Sequence, residues 1–157
     1  MALSIEPDDL TSPQTLALIE YHLDQMRGHS PVDCAHALGS ADLAQPDITL
    51  FTARRDGRVL GIGALRALAG CEGEIKSMRT APGCTGEGIG AAVLDRLIDE
   101  ARARGYRRIS LETGSGAAFE AALRLYRRRG FRPGPPFADY RATDFNRFLH
   151  LDLEALP

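Results

Sequence analysis

A run of alternating glycines is the first segment of this sequence that suggests binding chemistry. Gly86, Gly88 and Gly90 lie between a predicted strand and a predicted helix. Glycine has no Cβ atom, so backbone N–H groups can approach a ligand closely, and a helix N-terminus favours anionic oxygens. We therefore expect this loop to bind a pyrophosphate, although a glycine cluster by itself is equally compatible with a tight connection.

Two other glycine-rich phosphate loops fit the segment less well. A dinucleotide fingerprint can be started at Gly86 and Gly88, with Glu112 on a later strand as the partner of a ribose hydroxyl. That fingerprint requires its first glycine directly at the end of a strand, whereas residues 81–85 intervene here and the chain after Glu112 is short for a doubly wound sheet. A P-loop requires Lys where this chain has Ile89. A nucleotide-dependent oxidoreductase therefore stays a minor alternative.

The elements on either side of the loop must position it. Alternation predicts a strand over 74–80 that stops at the Ala-Pro-Gly segment 81–83. Apolar residues at helical spacing then predict a helix that ends at Gly105, and they are Ile89, Val93, Leu97 and Ala101.

Periodicity and turn residues predict the remaining elements. A helix begins at Ser12-Pro13, and a weaker helical pattern around Ala35, Ala37 and Leu38 spans 31–45. The later elements are strands over 48–54, 59–65 and 108–113, a helix from Phe119 that ends at Gly130, a strand starting at Phe131 and a last strand over 145–153. A short strand before the first helix would make 74–80 the fourth strand. This order predicts an α/β (α+β) fold with a mixed sheet covered by helices.

Composition limits the classes of protein that remain. A chain of 157 residues predicts a single domain over 1–157, and a net charge of -2 gives no reason to expect nucleic acid or a membrane as partner. Cys34, Cys71 and Cys84 are odd in number and lack C-x-x-C spacing, which argues against a disulfide framework or a metal site. Without a targeting segment or a membrane-spanning apolar run, we expect a cytoplasmic protein.

Three separate segments resemble the GNAT superfamily of N-acetyltransferases. The stretch 74–91 resembles its central motif, in which Arg or Gln, two residues, Gly, one residue and Gly or Ala bind coenzyme A. The stretch 125–131, Leu-Tyr-Arg-Arg-Arg-Gly-Phe, looks like its second motif, and the likeness runs from about Ile48 to the last strand. A bacterial subgroup, acting on small molecules or proteins, shares the patterns at 105–106, 111–114 and 136–140.

The resemblance implies a GNAT fold, with a mixed, mostly antiparallel central sheet flanked by helices and a coenzyme A cleft between the splayed fourth and fifth strands. It also implies acetyl-coenzyme A as cosubstrate, without a metal. The implied cofactor-binding residues are Met78, Arg79, Thr80, Thr85, Gly86, Glu87, Gly88, Ile89, Gly90, Ala91 and Tyr126. This chain departs from the family pattern at two positions. Thr85 stands where Arg or Gln is usual, and Phe119 stands where many members have Asn.

The resemblance also implies the catalytic groups for direct acyl transfer from a thioester to an amine. Tyr126 is expected to protonate the departing thiolate, and Glu74 to deprotonate the amine. Glu112 is an alternative base, and pairing of Glu74 with Lys76 or Arg79 is an alternative reading of that carboxylate. The backbone N–H of Met78 or of the residue after it is expected to polarise the thioester carbonyl.

The acceptor, a small-molecule or peptide amine, is the part that the resemblance leaves open. His22, His29 and His36 lie in the N-terminal region that usually walls the acceptor site, and Phe137 and Tyr140 are candidates for its lining. Cys84 is expected to be structural. A catalytically weakened coenzyme A-binding regulatory module is the rival reading, and exposed sheet edges permit a homodimer.

Overall fold

One seven-stranded sheet forms the centre of the protein. The computed structural model describes residues 2–31 and 36–153. Its strands lie in the spatial order β1-β2-β3-β4-β5-β7-β6. They are Ser4–Pro7 (β1), Ile48–Arg55 (β2), Arg58–Leu68 (β3), Glu72–Thr80 (β4), Arg108–Thr113 (β5), Arg132–Pro133 (β6) and Arg147–Asp152 (β7). Every neighbouring pair is antiparallel except β4 and β5, so the predicted mixed and mostly antiparallel sheet is confirmed.

Helices cover both faces of this sheet. Within the described ranges they are Pro13–His29 (α1), Ser40–Leu43 (α2), Ile89–Ala103 (α3) and Glu120–Arg128 (α4), the last preceded by a 3₁₀ turn over Ala117–Phe119. Proline at the first position of α1 has no N–H to leave unpaired there. None of the helices seen in this part of the chain is long and apolar enough to cross a membrane.

Each face of the sheet has its own apolar core. Val93, Leu94 and Leu97 of α3 are fully buried on one face, in a cluster that also includes Phe51 and Phe131. On the other face, α1 and α2 pack over β2 and β3. The buried residues of this second cluster are Leu18 and Ile19 of α1, Leu43 of α2, Leu50 of β2, and Val59, Ile62 and Ala64 of β3. The helical stripe predicted for α3 is thus the core-facing side of that helix.

The hairpin between β2 and β3 follows its turn chemistry. Asp56 and Gly57 both have positive φ, 52° and 76°, as a two-residue hairpin turn with matched twist requires. The predicted strands are confirmed, and both extend further than the alternation indicated. The next turn is shorter than predicted, because Cys71 takes up the left-handed conformation with φ 60° and β4 already begins at Glu72.

Two predicted elements differ from the structure. Of the weak helical pattern over 31–45, Ala35 lies outside the described residues, while Ala37 and Leu38 are not helical and only Ser40–Leu43 forms α2. Phe131 precedes β6 instead of starting it, since its ring is buried against Tyr126. In both places short-range pattern gave way to packing.

The parallel pair of strands separates almost as soon as it forms. β4 pairs with β5 from Glu72 with Arg108 to Glu74 with Ser110, and the pairing stops there although both strands continue. Beyond this point β4 remains paired only with β3, and β5 with β7. A cleft therefore opens between the two strands.

Candidate active site

The cleft between β4 and β5 holds a cavity. It has a volume of about 350 Å³ and is closed at its sides by α1 and by the region around α4. Its lining from the two strands consists of Ile75, Lys76, Ser77, Met78, Arg79, Leu111, Glu112 and Thr113. Its lining from the helices and the 3₁₀ turn consists of His22, Gln25, Met26, His29, Ala118, Phe119, Ala122 and Tyr126.

A β-bulge in β4 shapes one wall of the cleft. The register with β3 shifts so that Ile62 faces Arg79 while Ala64 faces Lys76, and Ser77 within the bulge has φ 56°. Gly63 lies opposite, where a Cβ atom would come within 2.7 Å of the Met78 sulfur. The glycine thus leaves room for the bulge. The expected carbonyl-polarising N–H groups, of Met78 or Arg79, belong to residues that line the cleft directly after it.

The glycine loop leads from β4 into α3, as predicted. Gly83, Gly86 and Gly88 have φ values of 81°, 80° and 80°, and no atom outside the adjoining chain lies within 4 Å of where their Cβ atoms would be. Helix α3 begins without a side-chain cap and without an acidic residue in its first turn. Its first N–H groups and the positive end of its dipole are therefore suited to an anionic ligand.

The side chains of the loop differ in where they point. Ile89 is buried in the core and anchors the start of α3, whereas Thr85 and Glu87 are exposed, and Glu87 lies 3.7 Å from Arg55. Gly90 packs close to Thr80 and α4, because a Cβ atom there would lie 3.6 Å from the Thr80 hydroxyl oxygen. In this segment the backbone, more than the side chains, is the surface offered to a phosphate.

Tyr126 lies on α4 with its ring edge-to-face against Phe131 at 5.8 Å and its side chain lining the cleft. Burial raises the pKa of the phenol to about 12, and the Arg79 charge acts against that rise. The hydroxyl therefore stays protonated at neutral pH and has a proton to give. Phe119, the departure from the family's Asn, lines the same cleft and contacts Phe145 edge-to-face.

Glu74 is buried at the root of the cleft and is already engaged. Its Oε2 accepts hydrogen bonds from Lys76 Nζ at 3.1 Å and from the Tyr140 hydroxyl at 2.5 Å, while Arg66 lies 3.5 Å from Oε1. Lys76 Nζ also donates to the Tyr140 hydroxyl oxygen. The alternative reading of Glu74, as a carboxylate paired with Lys76, therefore matches the observed geometry, and Glu74 is not among the residues that line the cleft.

Glu112 is the other carboxylate of this region, and its surroundings differ. Its side chain is buried and lines the cleft, yet its Oε2 has no hydrogen-bond partner within residues 2–31 and 36–153. Burial raises the pKa of Glu112 to about 7, with Lys76 lowering it and Glu74 raising it further. A carboxylate with such a pKa can exchange a proton near neutral pH.

The histidines and aromatic residues expected at the acceptor side lie there in part. His22 and His29 of α1 line the cleft, and His22 Nδ1 accepts a hydrogen bond from Arg79 Nε at 3.0 Å. Burial, together with the charges of Arg79 and Lys76, lowers the pKa of His22 to about 3, so this imidazole stays neutral. His36 stacks on Tyr140 at 5.2 Å.

Phe137 supports the acceptor side from behind, since its ring packs edge-on against Tyr140. Cys84 packs against the core, as expected of a structural residue. Among the described side chains there is no group of three or more His, Cys, Asp or Glu that would hold a metal ion.

Sequence reasoning missed how the polar residues of this region are connected. Lys76 and Tyr140 are far apart in the chain, and only the fold brings the tyrosine hydroxyl to the Glu74–Lys76 pair. The available signal was alternation: Glu74 and Lys76 lie on one face of β4, and Ser110 and Glu112 on one face of the adjoining β5. The glycine of the Leu-Glu-Thr-Gly pattern also has a structural reason, because a Cβ atom on Gly114 would lie 2.3 Å from Phe145.

Comparisons with known proteins agree with this geometry. Residues 15–131 match the acetyltransferase (GNAT) family. The chain is 41% identical over 150 residues to Uncharacterized N-acetyltransferase YedL of Escherichia coli K12, covering 96% of this chain and 94% of that protein. It is 46% identical over 138 residues to Uncharacterized N-acetyltransferase YsnE of Bacillus subtilis 168, covering 88% and 91%.

A similar fold is present in the Salmonella typhimurium protein yncA, which was solved with its cofactor acetyl-CoA. The two structures align with a TM-score of 0.73 at 20% sequence identity, over 98% of this chain and 95% of that one. At this identity the likeness concerns the fold.

Proposed function

Since the chain belongs to the acetyltransferase (GNAT) family and is an acetyl-CoA-dependent N-acetyltransferase, we propose that Glu112 deprotonates the acceptor amine and Tyr126 protonates the departing thiolate. The observation that carries this proposal is the free Glu112 oxygen, which is buried, borders the cleft and has no hydrogen-bond partner in the described chain. The family assignment does not favour the rival reading of a regulatory module.

Glu112 and Glu74 have different roles because only Glu112 has a carboxylate oxygen without a hydrogen-bond partner in the described chain. Glu74 accepts hydrogen bonds from Lys76 and Tyr140, so taking a proton there would weaken a buried ion pair. Glu112 Oε2 has no hydrogen bond to lose when it takes a proton, since His36 Nδ1 lies 3.6 Å away. Glu74 therefore acts as the partner that fixes Lys76, and a fixed Lys76 leaves the Glu112 oxygen available for the acceptor.

Acyl transfer then proceeds by a balanced set of steps. The acceptor ammonium gives a proton to Glu112, and the resulting lone pair attacks the thioester carbonyl carbon. The new C–N bond forms as the carbonyl electrons move to oxygen, where a backbone N–H of Met78 or Arg79 stabilises the negative charge. When the carbonyl reforms, the C–S bond breaks, the sulfur takes the phenolic proton of Tyr126, and the nitrogen releases its second proton to solvent to leave a neutral amide. Glu112 returns its own proton to solvent before the next turnover.

Tyr126 is protonated, as a general acid must be, but its raised pKa affects how readily it gives up the proton. A phenol with a pKa of about 12 is a weaker acid than tyrosine in water, and this slows proton transfer to a thiolate. The same desolvated cleft raises the pKa of the coenzyme A thiol, and the Arg79 charge favours the phenolate. Both effects reduce the difference between the pKa of the phenol and the pKa of the thiol. Tyr126 regains its proton from solvent at the open end of the cleft.

The cofactor-binding residues remain those of the glycine loop and the end of β4. The loop amides from Gly86 to Ala91 would hold the pyrophosphate at the N-terminus of α3, and the unpaired edge of β4 from Met78 to Thr80 would pair with the pantetheine amides. Thr85 would give one neutral hydrogen bond where an Arg gives a charged one. We further propose a small-molecule or peptide amine as acceptor, no metal requirement, and action in the reducing cytoplasm, to which the unpaired Cys71 and Cys84 are suited.

The test compares the two carboxylates in one assay. Release of the coenzyme A thiol from acetyl-CoA is followed across a panel of amines and amino acids for the unmodified protein, Glu112→Gln and Glu74→Gln. We expect Glu112→Gln to lower kcat/KM by about 10²- to 10⁴-fold, as loss of a general base does. Glu74→Gln should lower it less and should shift its pH dependence, because unbalanced Lys76 favours ionised Glu112. Undiminished turnover by Glu112→Gln would refute the assignment, and acetyl-CoA binding by calorimetry verifies that each variant keeps its cofactor half.

A further inference from the structure

Three buried polar atoms without partners meet in a small pocket beside the cleft. They are His36 Nδ1, Ser77 Oγ and Glu112 Oε2, none of which has a hydrogen-bond partner in the part of the chain that the structure describes. His36 Nδ1 and Glu112 Oε2 lie 3.6 Å apart. All three residues line one pocket of about 50 Å³, which we call the amine slot. Buried polar groups are almost always hydrogen-bonded, so three such atoms in one pocket are suited to a ligand group that carries several hydrogens.

The three acceptor atoms of the slot are matched to a nitrogen that carries several hydrogens, and the charge of Lys76, which also lines the slot, is balanced by Glu74. Ionised Glu112 and a neutral imidazole protonated at Nε2 both accept hydrogen bonds, and a serine hydroxyl can do so. Burial and, to a smaller extent, the charge of Lys76 lower the pKa of His36 against the charge of Glu74, which favours the neutral imidazole. A primary ammonium group offers three N–H donors to these three atoms, whereas an N-methylated one offers fewer.

The slot shares lining residues with the cleft on one side and with an outer opening on the other. It shares Ser77 and Glu112 with the cleft, so a nitrogen held there lies beside the place where the thioester would be attacked. It shares His36 and Lys76 with a second opening of about 280 Å³, which we call the rim. The rim is lined in addition by Leu38, Arg66, Ala138, Asp139 and Tyr140.

The charges around the rim favour an acidic group. Arg66 and Lys76 share one buried carboxylate, Glu74, so these three side chains together carry a net positive charge. The other partner of Arg66 is Asp47 at 3.3 Å, whose side chain is 46% exposed, and such pairs are weak. An incoming carboxylate can therefore compete for the guanidinium. Asp139 is exposed at the rim and, like Asp47, opposes this preference.

We propose that the acceptor is a small primary amine that also carries an acidic group, with its nitrogen in the amine slot and its acid at Arg66 and Lys76. This inference rests on the proposed function and narrows its acceptor class. His36 is then an acceptor-binding residue, and the rim sets specificity without taking part in bond making.

Matched acceptors separate the two halves of this proposal. We expect acetylation of glycine, β-alanine or 4-aminobutyrate to exceed that of the corresponding amide by about tenfold or more in kcat/KM, the value of one charge-assisted contact. N-methylation of the preferred acid should lower its kcat/KM by at least a similar factor. Equal rates for each acid and its amide, or for each primary amine and its N-methyl form, would overturn the inference.

Variants at the rim test which residues cause the preference for acids over amides. Arg66→Gln is expected to bring the acid-to-amide ratio close to one, Arg66→Lys to retain part of it, and Asp139→Asn to increase it. Arg58→Gln, at an exposed arginine outside the rim, is the matched control and should leave the ratio as it is. An unchanged ratio in Arg66→Gln would overturn the assignment of the acid. If amides react as well as acids, the acceptor class fails while the enzyme stands; if no amine releases thiol although acetyl-CoA binds, the proposed function fails with it.

Discussion

The region that would hold the cofactor and the region that would hold the acceptor, here called the cofactor half and the acceptor half, offer different kinds of contact. In the cofactor half, the contacts come from backbone: left-handed glycines, an uncapped helix N-terminus and a strand edge left open by the splay. In the acceptor half they come from side chains, with Glu74, Lys76 and Tyr140 locked together and Glu112 left free. Backbone sites tolerate a change of side chain, whereas a side-chain network changes its chemistry with a single residue.

Tyr126 stands where the two halves meet, and its hydroxyl should produce the largest effect among the variants considered next. Tyr126→Phe keeps the ring contact with Phe131 and removes only the proton donor, so kcat should fall by about 10²-fold or more while acetyl-CoA affinity stays within about twofold. Steady-state kinetics and calorimetry measure the two quantities. Tyr106→Phe, outside the cleft, is the control, and a Tyr126→Phe enzyme with full kcat would remove Tyr126 as the acid.

A side chain at a left-handed glycine should damage the cofactor half specifically. Gly88 has φ 80°, a conformation that costs a β-branched residue roughly 1–3 kcal/mol, so Gly88→Val should weaken acetyl-CoA binding by about tenfold or more. Calorimetric titration measures this loss. Gly28→Ala in α1, where the new methyl group meets nothing within 4 Å, should bind as tightly as the unmodified protein. Equal binding by the two variants would show that the loop does not hold the cofactor.

Glu112 should reveal the cost of a free carboxylate in the acceptor half. Its folded-state pKa of about 7 lies above the ordinary value of 4.5, so its contribution to stability is present below about pH 4.5 and is lost as pH rises through 7. At pH 8, Glu112→Gln should therefore raise the free energy of unfolding by on the order of 1–3 kcal/mol, and at pH 4 it should give no such gain. Urea unfolding at the two pH values measures the difference.

The contribution of Glu100 to stability should depend on pH in the opposite direction to that of Glu112. Hydrogen bonds from Arg96 and Arg104 lower the pKa of Glu100, so its stabilising contribution is present above the unfolded pKa and is lost as pH falls. Glu100→Gln should thus lose stability at pH 8. A Glu112→Gln protein that is less stable than the unmodified one at pH 8 would contradict the electrostatic account of this residue.

Thr85→Arg is expected to have the smallest effect of the variants, a modest gain in acetyl-CoA affinity. Thr85→Arg restores the side chain usual in the family at an exposed position of the loop, and it should tighten acetyl-CoA binding by roughly two- to fivefold through a charge-assisted contact. The gain should shrink at high salt. Unchanged affinity at low salt would mean that the loop amides already satisfy the pyrophosphate at this position.

The same contrast explains what the sequence could predict. Glycines at 86 and 88, the proline at 13 and the stripe from Ile89 to Ala101 act through local backbone rules, so the loop, α1 and α3 could be placed from short-range pattern. The acceptor half depends on residues brought together from distant segments. No local pattern reports that Tyr140 reaches Glu74 across 66 positions, and hence that Glu74 is engaged while Glu112 is free.

The free carboxylate of Glu112 is the central claim, and its titration can be observed without an acceptor whose own pKa intervenes. Carbon-13 NMR of the side-chain carboxyl carbons in glutamate-labelled protein, with Glu112→Gln identifying the resonance, measures it directly. We expect the Glu112 resonance to titrate near pH 7, because burial and the charge of Glu74 raise its pKa against the charge of Lys76. A resonance that titrates near 4.5 would show a solvated or paired carboxylate, and would contradict the role of Glu112 as the base.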